Sequence, residues 1–260
     1  MAAPKVSIVT PSYNQARFLP ETLRSLREQD YPNIEHIVID GGSTDGTLEL
    51  LNAAPGIRWV SESDRGQVDA LNKGFAMATG EILAWLNSDD VMNPDTVRVA
   101  VEVLQRTGAD LVYGDVEIVD EAGRPLRTSH GIPFDLRVLL YGINYIGQQT
   151  VFFRRALLPK AGPLREEFHN GFDYELWLRF SQHGRFVYEP RLRAKIRVHP
   201  AAKSVANPAT GRADTVRIVR EYWTTGGLPV FLRHPPLRTA LRWYYRLKRQ
   251  WRRRIGTGHA

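Results

Sequence analysis

Asn87-Ser88-Asp89-Asp90 sets four short, oxygen-bearing side chains in a row behind an apolar run, Ile82 to Leu86. The run reads as a buried strand, and ligands of open α/β sheets sit at the carboxyl ends of strands. Two adjacent carboxylates there repel each other unless a cation or a positive ligand neutralises them. A hard divalent cation, Mg²⁺ or Mn²⁺, suits the place, because it takes one or two carboxylates plus phosphate oxygens. The competing reading is a helix N-cap, since Asn, Ser and Asp all cap and Pro94 soon opens a helical pattern. One such residue suffices for a cap, so four in succession favour the cation.

Other chemistry-bearing residues also stand at the ends of predicted elements. Asp173 falls in the first turn of a helix marked by Leu176, Arg179 and Phe180, where an N-cap is its simplest role. Gln148 and Gln149 open the run Gly147 to Phe153, which reads as a strand. Their amides suit ligand contacts or backbone hydrogen bonds at a strand edge. His199 follows a predicted strand, Ala194 to Val198.

These residues need a frame. Lys5 to Thr10, Ile37 to Ile39, Ile57 to Val60 and Ile82 to Leu86 are β-branched or apolar strands. Between them, Leu19, Leu23 and Leu26, and then Val68, Leu71, Phe75 and Ala78, recur at helical spacing. Strand-helix alternation at this pace predicts an α/β fold, a mostly parallel sheet flanked by helices. Each strand ends in a polar loop: Pro11 to Asn14, then Asp40 to Gly46, then Ser61 to Gly66. Several loops should therefore converge on one rim. A dinucleotide-binding domain is the natural competitor, but its first turn needs G-x-G-x-x-G and Thr10 to Gln15 holds no glycine. The phosphate-loop pattern G-x-x-x-x-G-K is absent too, so a bound diphosphate would be neutralised by metal rather than by a helix N-terminus. In the second half, Val112 to Asp115 and Val116 to Val119 look like strands, followed by a turn at Glu121 to Arg124.

Length and composition set bounds. At 260 residues, with 43% hydrophobic and 24% charged content, a sizeable core fits within one large domain or a domain with an appendage. Zero cysteines exclude disulfides, thiolate metal sites and a cysteine nucleophile. No signal-peptide pattern and no apolar run of roughly 20 residues is seen, so the expected location is cytoplasmic. The net charge of +7 is unevenly placed: after Glu221 there are nine Arg/Lys and no acidic residue, leaving the first 221 residues at −2.

Taken in order, the motifs resemble the family-2 glycosyltransferases with a GT-A fold. The pieces are TPSYN (Thr10 to Asn14), YPNIEHIVIDGGSTDGT (Tyr31 to Thr47), SESDRGQVDALNKGF (Ser61 to Phe75), TGEILAWLNSDD (Thr79 to Asp90), QQTVFFRR and FDYELWLRF (Phe172 to Phe180). They span about residues 4 to 204 and are specific to the superfamily, not to a sugar. The resemblance implies a GT-A-like domain over residues 1–210, with a nucleotide-sugar half to about 115 and an acceptor half to about 210. It implies a nucleotide-diphosphate sugar donor, a glycan or lipid-linked acceptor, and polysaccharide or cell-envelope biosynthesis. Asp40 matches the residue that meets the nucleobase edge, with Thr10, Pro11 and Tyr13 packed around the base. Asp64 and Arg65 match the loop touching the nucleotide, and Asn87, Ser88 and Asp89 the donor site. Asp89 and Asp90 match the metal motif, His199 a further metal ligand in some members, and Asp173 the general base. Gln148 and Gln149 are expected at the acceptor or the donor sugar.

Two departures bear on chemistry. Asn87 stands where the metal motif often begins with Asp, and Phe172 stands where Glu often precedes the base. They keep a catalytically silent nucleotide-sugar binder or scaffold as the alternative. A nucleotidyltransferase would need the glycine-rich first loop that is missing. The Q-x-x-R-W pattern of processive members is absent, so single addition with inversion is expected.

Residues 211–260 read as a helical basic tail. Leu237, Leu241, Tyr244, Trp251 and Ile255 fall near one helical face, with arginines on the others. That composition suits an anionic membrane surface, which is a further expected partner. A solvated terminus and nucleic-acid binding are the other readings; no nucleic-acid motif accompanies the charge.

Overall fold

A computed structural model describes residues 3–141, 143–225 and 235–256. The first half alternates β1 (Val6–Ser12), α1 (Leu19–Arg27), β2 (Ile34–Asp40), α2 (Thr47–Ala53), β3 (Ile57–Ser61), α3 (Gln67–Met77) and β4 (Ile82–Trp85). Then come β5 (Val91–Met92), α4 (Thr96–Thr107), β6 (Leu111–Val119), β7 (Pro125–Ser129), α5 (Leu136–Leu140) and β8 (Phe152–Arg154). The chain ends with α6 (Leu158–Ala161), α7 (Phe172–Phe180), β9 (Phe186–Arg197), α8 (Lys203–Ala206), α9 (Pro208–Thr225) and α10 (Pro235–Gly256).

The strands form one sheet in the order β3-β2-β1-β4-β8-β6-β9-β5, with β7 beside β6. β1 to β4 are mutually parallel; β8 runs antiparallel to β4 and β6, and β6 and β9 pair in parallel. After β3 the chain crosses back to place β4 on the other side of β1. Such a reversal opens a crevice at the carboxyl ends of the two strands. The loops following β1 and β4 are Tyr13-Asn14 and Asn87 to Asp90, so the topology brings both to the same rim.

β4 shows why the sheet is buried on both faces. Ile82, Ala84 and Leu86 join one apolar cluster with Val6, Ile8 and α4, while Leu83 and Trp85 join another with Val9, Phe75 and α7. The two-residue period sends successive side chains to opposite faces. Trp85 stacks on Trp177 at 5.4 Å and meets Phe75 edge-on at 5.9 Å. α3 lies tight on β1, for a Cβ at Gly74 would stand 2.3 Å from Val9 Cγ1.

The second half differs locally from the sequence reading. β6 is one unbroken strand, and β9 is longer than its legible portion near Ala194. Gln148 to Thr150 form a single 3-10 turn, not the start of a strand. The turn closes because Thr150 N–H and its hydroxyl both donate to Gly147 O, while Gly114 N–H donates to Thr150 Oγ1.

The expected boundary at residue 210 falls inside α9, whose Ile218, Val219 and Tyr222 are buried in the main core. Tyr222 also donates to the buried Glu175 of α7 at 2.6 Å. α10 turns Leu241 and Tyr245 toward the body, where Tyr245 stacks on Tyr141 at 5.1 Å. Of the described members of the apolar face read from the sequence, Leu241 points inward, while Tyr244 and Trp251 are exposed. The side chains of Leu237 and Ile255 lie outside the described residues. Among those residues, no helix is long and apolar enough to cross a membrane.

Candidate active site

The rim at the switch point encloses a cleft of about 730 Å³. One wall is built by the ends of β1, β2 and β3, presenting Pro11, Tyr13, Gly41 and Asp64. Asn87 to Asp90, Gln148 and Gln149 form the floor, and Asn170, Phe172, Asp173 and Lys203 form the opposite wall.

Asp89 and Asp90 are adjacent in sequence but have different surroundings. Asp89 Oδ2 is 3.0 Å from His199 Nε2, and the imidazole lies against Phe18 with ring centroids 4.6 Å apart. Asp90 is 2% exposed, and its carboxylate is occupied by protein donors: Asn87 Nδ2 at 3.1 Å, Gln149 Nε2 at 2.8 Å and Arg197 N–H at 3.0 Å. Burial pushes its carboxyl up to about 8, with the Asp89 charge adding to the effect, while those three hydrogen bonds pull it down. Asn87 also accepts from Gln67 Nε2 at 2.8 Å. The amide thus donates to one partner and accepts from another, which a carboxylate at 87 could not do. That accounts physically for the first departure from the family pattern.

Asp89 and His199 form a carboxylate–imidazole contact at this end of β4 that could hold a divalent ion. Their 3.0 Å contact is a hydrogen bond, and the oxygen and ring nitrogen that make it are donor types Mn²⁺ or Mg²⁺ sites use. Among the described residues, no group of three or more His, Cys, Asp or Glu side chains is arranged to hold a metal.

Asp173 is the second residue of α7 and not its N-cap, which is Gly171. Its Oδ1 accepts from Tyr174 N–H at 2.6 Å, and its Oδ2 from Asn144 Nδ2 at 3.4 Å. Asn144 Oδ1 is taken by Ile146 N–H at 3.2 Å, which turns the amide NH₂ toward Asp173. Burial pushes the Asp173 carboxyl up to about 6 against these hydrogen bonds and the Lys203 charge. A half-buried carboxylate with that pKa can take a proton near neutrality. Its helix is braced from outside, because Asp214 of α9 accepts from Asn170 N–H at 2.8 Å and Gly171 N–H at 3.1 Å.

Four residues expected to touch ligand do not line the cleft: Asp40, Thr10, Arg65 and His199, the last 4% exposed and hydrogen-bonded to Asp89. Asp40 is fully buried and does not line the cleft. It accepts from Gly42 N–H, Ser43 N–H, Ser43 Oγ and Ser61 Oγ, and so holds the loop after β2 from beneath. Thr10 is interior as well, with its hydroxyl 2.9 Å from the Nε2 of His36. Burial lowers the pKa of that imidazole to about 4. Arg65 points to solvent and pairs with Glu166 and Asp69. Asp64 does face the cleft. It occupies the space a side chain at 41 would need, since a Cβ on Gly41 would lie 2.9 Å from Asp64 Oδ2. Gln148 donates to Trp85 O at 2.7 Å, which fixes the turn to the end of β4.

Sequence reasoning missed Gln67 and Lys203, which line the cleft, and Asn144, which contacts Asp173. Lys203 Nζ donates to Gln67 Oε1 at 3.3 Å and lies 5.6 Å from the centre of the Phe172 ring. Phe172, the second departure, therefore supports a cation where a carboxylate is often found. Gln67 lies within the quoted Ser61 to Phe75 piece but was not singled out there, and Asn144 and Lys203 belong to no quoted motif. Only the nearness of Lys203 to His199 in the chain hinted at its place.

The glycosyl transferase family 2 profile matches residues 7–161. The chain belongs to glycosyltransferase family 2. It is 38% identical over 186 residues to the PGL/p-HBAD biosynthesis glycosyltransferase of Mycobacterium bovis, covering 69% of this chain and 70% of that protein. Staphylococcus aureus TarS residues 1–349, solved with UDP, matches with a TM-score of 0.65 at 22% identity, over 83% of this chain and 64% of that one. Against a longer TarS chain the match spans only 39% of the TarS length. The mannosyltransferase PcManGT from Pyrobaculum calidifontis, solved with GDP-Man and Mn²⁺, matches with a TM-score of 0.61 at 21% identity, over 96% of this chain and 88% of that one. The fold is thus the α/β GT-A type, and the enzyme class is glycosyltransferase.

Proposed function

We propose that the cleft moves one sugar, with inversion, from a nucleotide-diphosphate sugar to a hydroxyl of a glycan or lipid-linked acceptor. What supports this reading is that two carboxylates, Asp89 and Asp173, line one cleft, the first backed by the buried His199 and the second with a raised pKa. Tyr13 and Pro11 provide a surface for the base, and Asp64 a carboxylate for the nucleoside. Asp40 and Thr10 act from below, by shaping that wall. Ser88, Asn87 and Asp89 stand at the diphosphate, with Gln148 and Gln149 beside the transferred sugar.

Asp89 and His199 would hold Mn²⁺ or Mg²⁺, which when bound neutralises charge on the departing diphosphate. Asp90 holds the floor in place through Asn87, Gln149 and the Arg197 backbone. As the acceptor oxygen attacks the anomeric carbon, Asp173 takes its proton and the bond to the diphosphate breaks on the opposite face. General-base help of this kind is worth about 10²–10⁴-fold. The Lys203 ammonium offers the diphosphate a second positive charge. The acceptor is met at an anionic membrane surface approached through the basic C-terminal helix.

Inversion is testable without the natural acceptor, with water in the acceptor's place. Early proton NMR of sugar released from an α-linked donor should show the β anomer, and Asp173→Asn should stop its appearance. Release of the α anomer first would overturn the mechanism.

A further inference from the structure

α10 carries two apolar faces, and only one is used by the fold. Successive helical residues are turned by about 100°, so Leu247, Trp251 and Tyr244 lie about 40°, 80° and 100° round from Trp243. These four are 62% (Trp243), 54% (Tyr244), 49% (Leu247) and 63% (Trp251) exposed. Leu241 and Tyr245, which pack on the body, sit on the far side of the helix. The outward stripe is therefore not the leftover edge of the packing face. It is a second, aromatic face with no protein against it among the described residues.

The charge around the stripe indicates what covers it. α10 carries eight Arg/Lys and no Asp or Glu. Arg246 is exposed on one flank, and Lys248 lies on the other, 3.8 Å from Asp135 and over the Tyr245 ring. Tryptophan and tyrosine prefer the headgroup level of a bilayer, and flanking cations keep their heads in the anionic layer while their stems lie along the lipid. A protein partner would supply acidic groups at fixed points; a bilayer supplies them along the whole helix, as the charge here runs.

We infer that α10 lies flat on an anionic bilayer and inserts Trp243, Tyr244, Leu247 and Trp251 at the headgroup–acyl boundary. This deepens the membrane contact proposed above by assigning its face; the docking rests on α10 itself, and only the lipid character of the acceptor rests on the transferase reading. Leu241 and Tyr245 stay on the body during docking. Tyr245 stacks on Tyr141, at the start of the segment that carries Asn144 to Asp173.

The test is co-sedimentation of the full chain with vesicles of phosphatidylcholine alone or mixed equally with phosphatidylglycerol, at low and high salt. Binding is expected to the mixed vesicles only, weakening with salt, and with a blue shift of tryptophan emission. Trp243→Ser/Leu247→Ser/Trp251→Ser alters only exposed side chains, and its partition should fall about tenfold or more. Arg246→Ala should cost about fivefold, the worth of one cation near an anionic surface. Thermal stability and nucleotide-sugar binding of the triple variant should match the parent, which separates this proposal from the fate of the transferase reading. No binding to the mixed vesicles, equal binding by the triple variant, or self-association through this face would overturn it.

Discussion

Asp173→Asn should damage activity and improve stability at the same time. The native carboxyl has a pKa of about 6 against an ordinary 3.8, because burial disfavours its charge. Each unit is worth about 1.4 kcal/mol, so the ionised group costs the fold roughly 2–3 kcal/mol above pH 6. The sign follows from proton linkage: between pH 4 and 6 the folded chain binds more protons than the unfolded one, and stability falls as pH rises. Below pH 4 both states are protonated and the cost is gone. Asparagine keeps an acceptor for Tyr174 N–H without carrying charge. The variant should therefore gain roughly 2–3 kcal/mol at pH 8, gain little at pH 4, and lose the fall between them. Turnover should drop about 10²–10⁴-fold, and in the parent it should decline below about pH 6 as the base becomes protonated. Denaturant melts across pH, with nucleotide release under saturating donor, give both readouts. A variant that is destabilised at pH 8 would refute the burial argument, and one with unchanged turnover would remove Asp173 from catalysis.

The two adjacent carboxylates should separate cleanly on mutation. Asp90→Ala leaves three donors without their buried acceptor and should cost about 2–4 kcal/mol in chemical denaturation. Asp89→Ala and His199→Ala should each melt within a few degrees of the parent yet lose metal-dependent binding of donor in calorimetry. Asn87→Asp replaces a donor to Asp90 with a third negative charge; it should lower the melting temperature, and more at pH 8 than at pH 6. Gly74→Ala forces a methyl onto Val9 and should cost about 1–3 kcal/mol, measured by urea unfolding.

Much of the frame was legible because it rests on periodicity and punctuation. β4 alternates between two cores, and the polar loops after β1, β3 and β4 reach one rim. What escaped was set by contacts distant in sequence. Asp40 ends a strand as a ligand-binding carboxylate would, but Ser43 and Ser61 close over it, and only the folded loop shows that. The strand read at Gly147 becomes a turn because Thr150 bonds back to Gly147. The apolar face of α10 was assigned from one helical projection, whereas packing on Tyr141 selects Tyr245 and leaves Tyr244 outside. Asn87 looked like a weakened metal ligand; its amide instead bridges Gln67 and Asp90. Lys203 and Asn144 lie outside the quoted motifs; folding of the acceptor half brings Lys203 to the cleft and Asn144 against Asp173.

The central claim is a donor held through metal by Asp89 and His199. Its most direct test is a thermal-shift panel of UDP-, GDP- and dTDP-sugars with Mn²⁺, Mg²⁺ or chelator, run on the parent and on Asp89→Ala. A ligand at about 100 times its dissociation constant adds about 2.7 kcal/mol to apparent stability. The account predicts a clear shift for one nucleotide class, dependent on metal in the parent and lost in the variant. A well-folded parent that shifts with no donor, or a variant that shifts equally with chelator present, would contradict it.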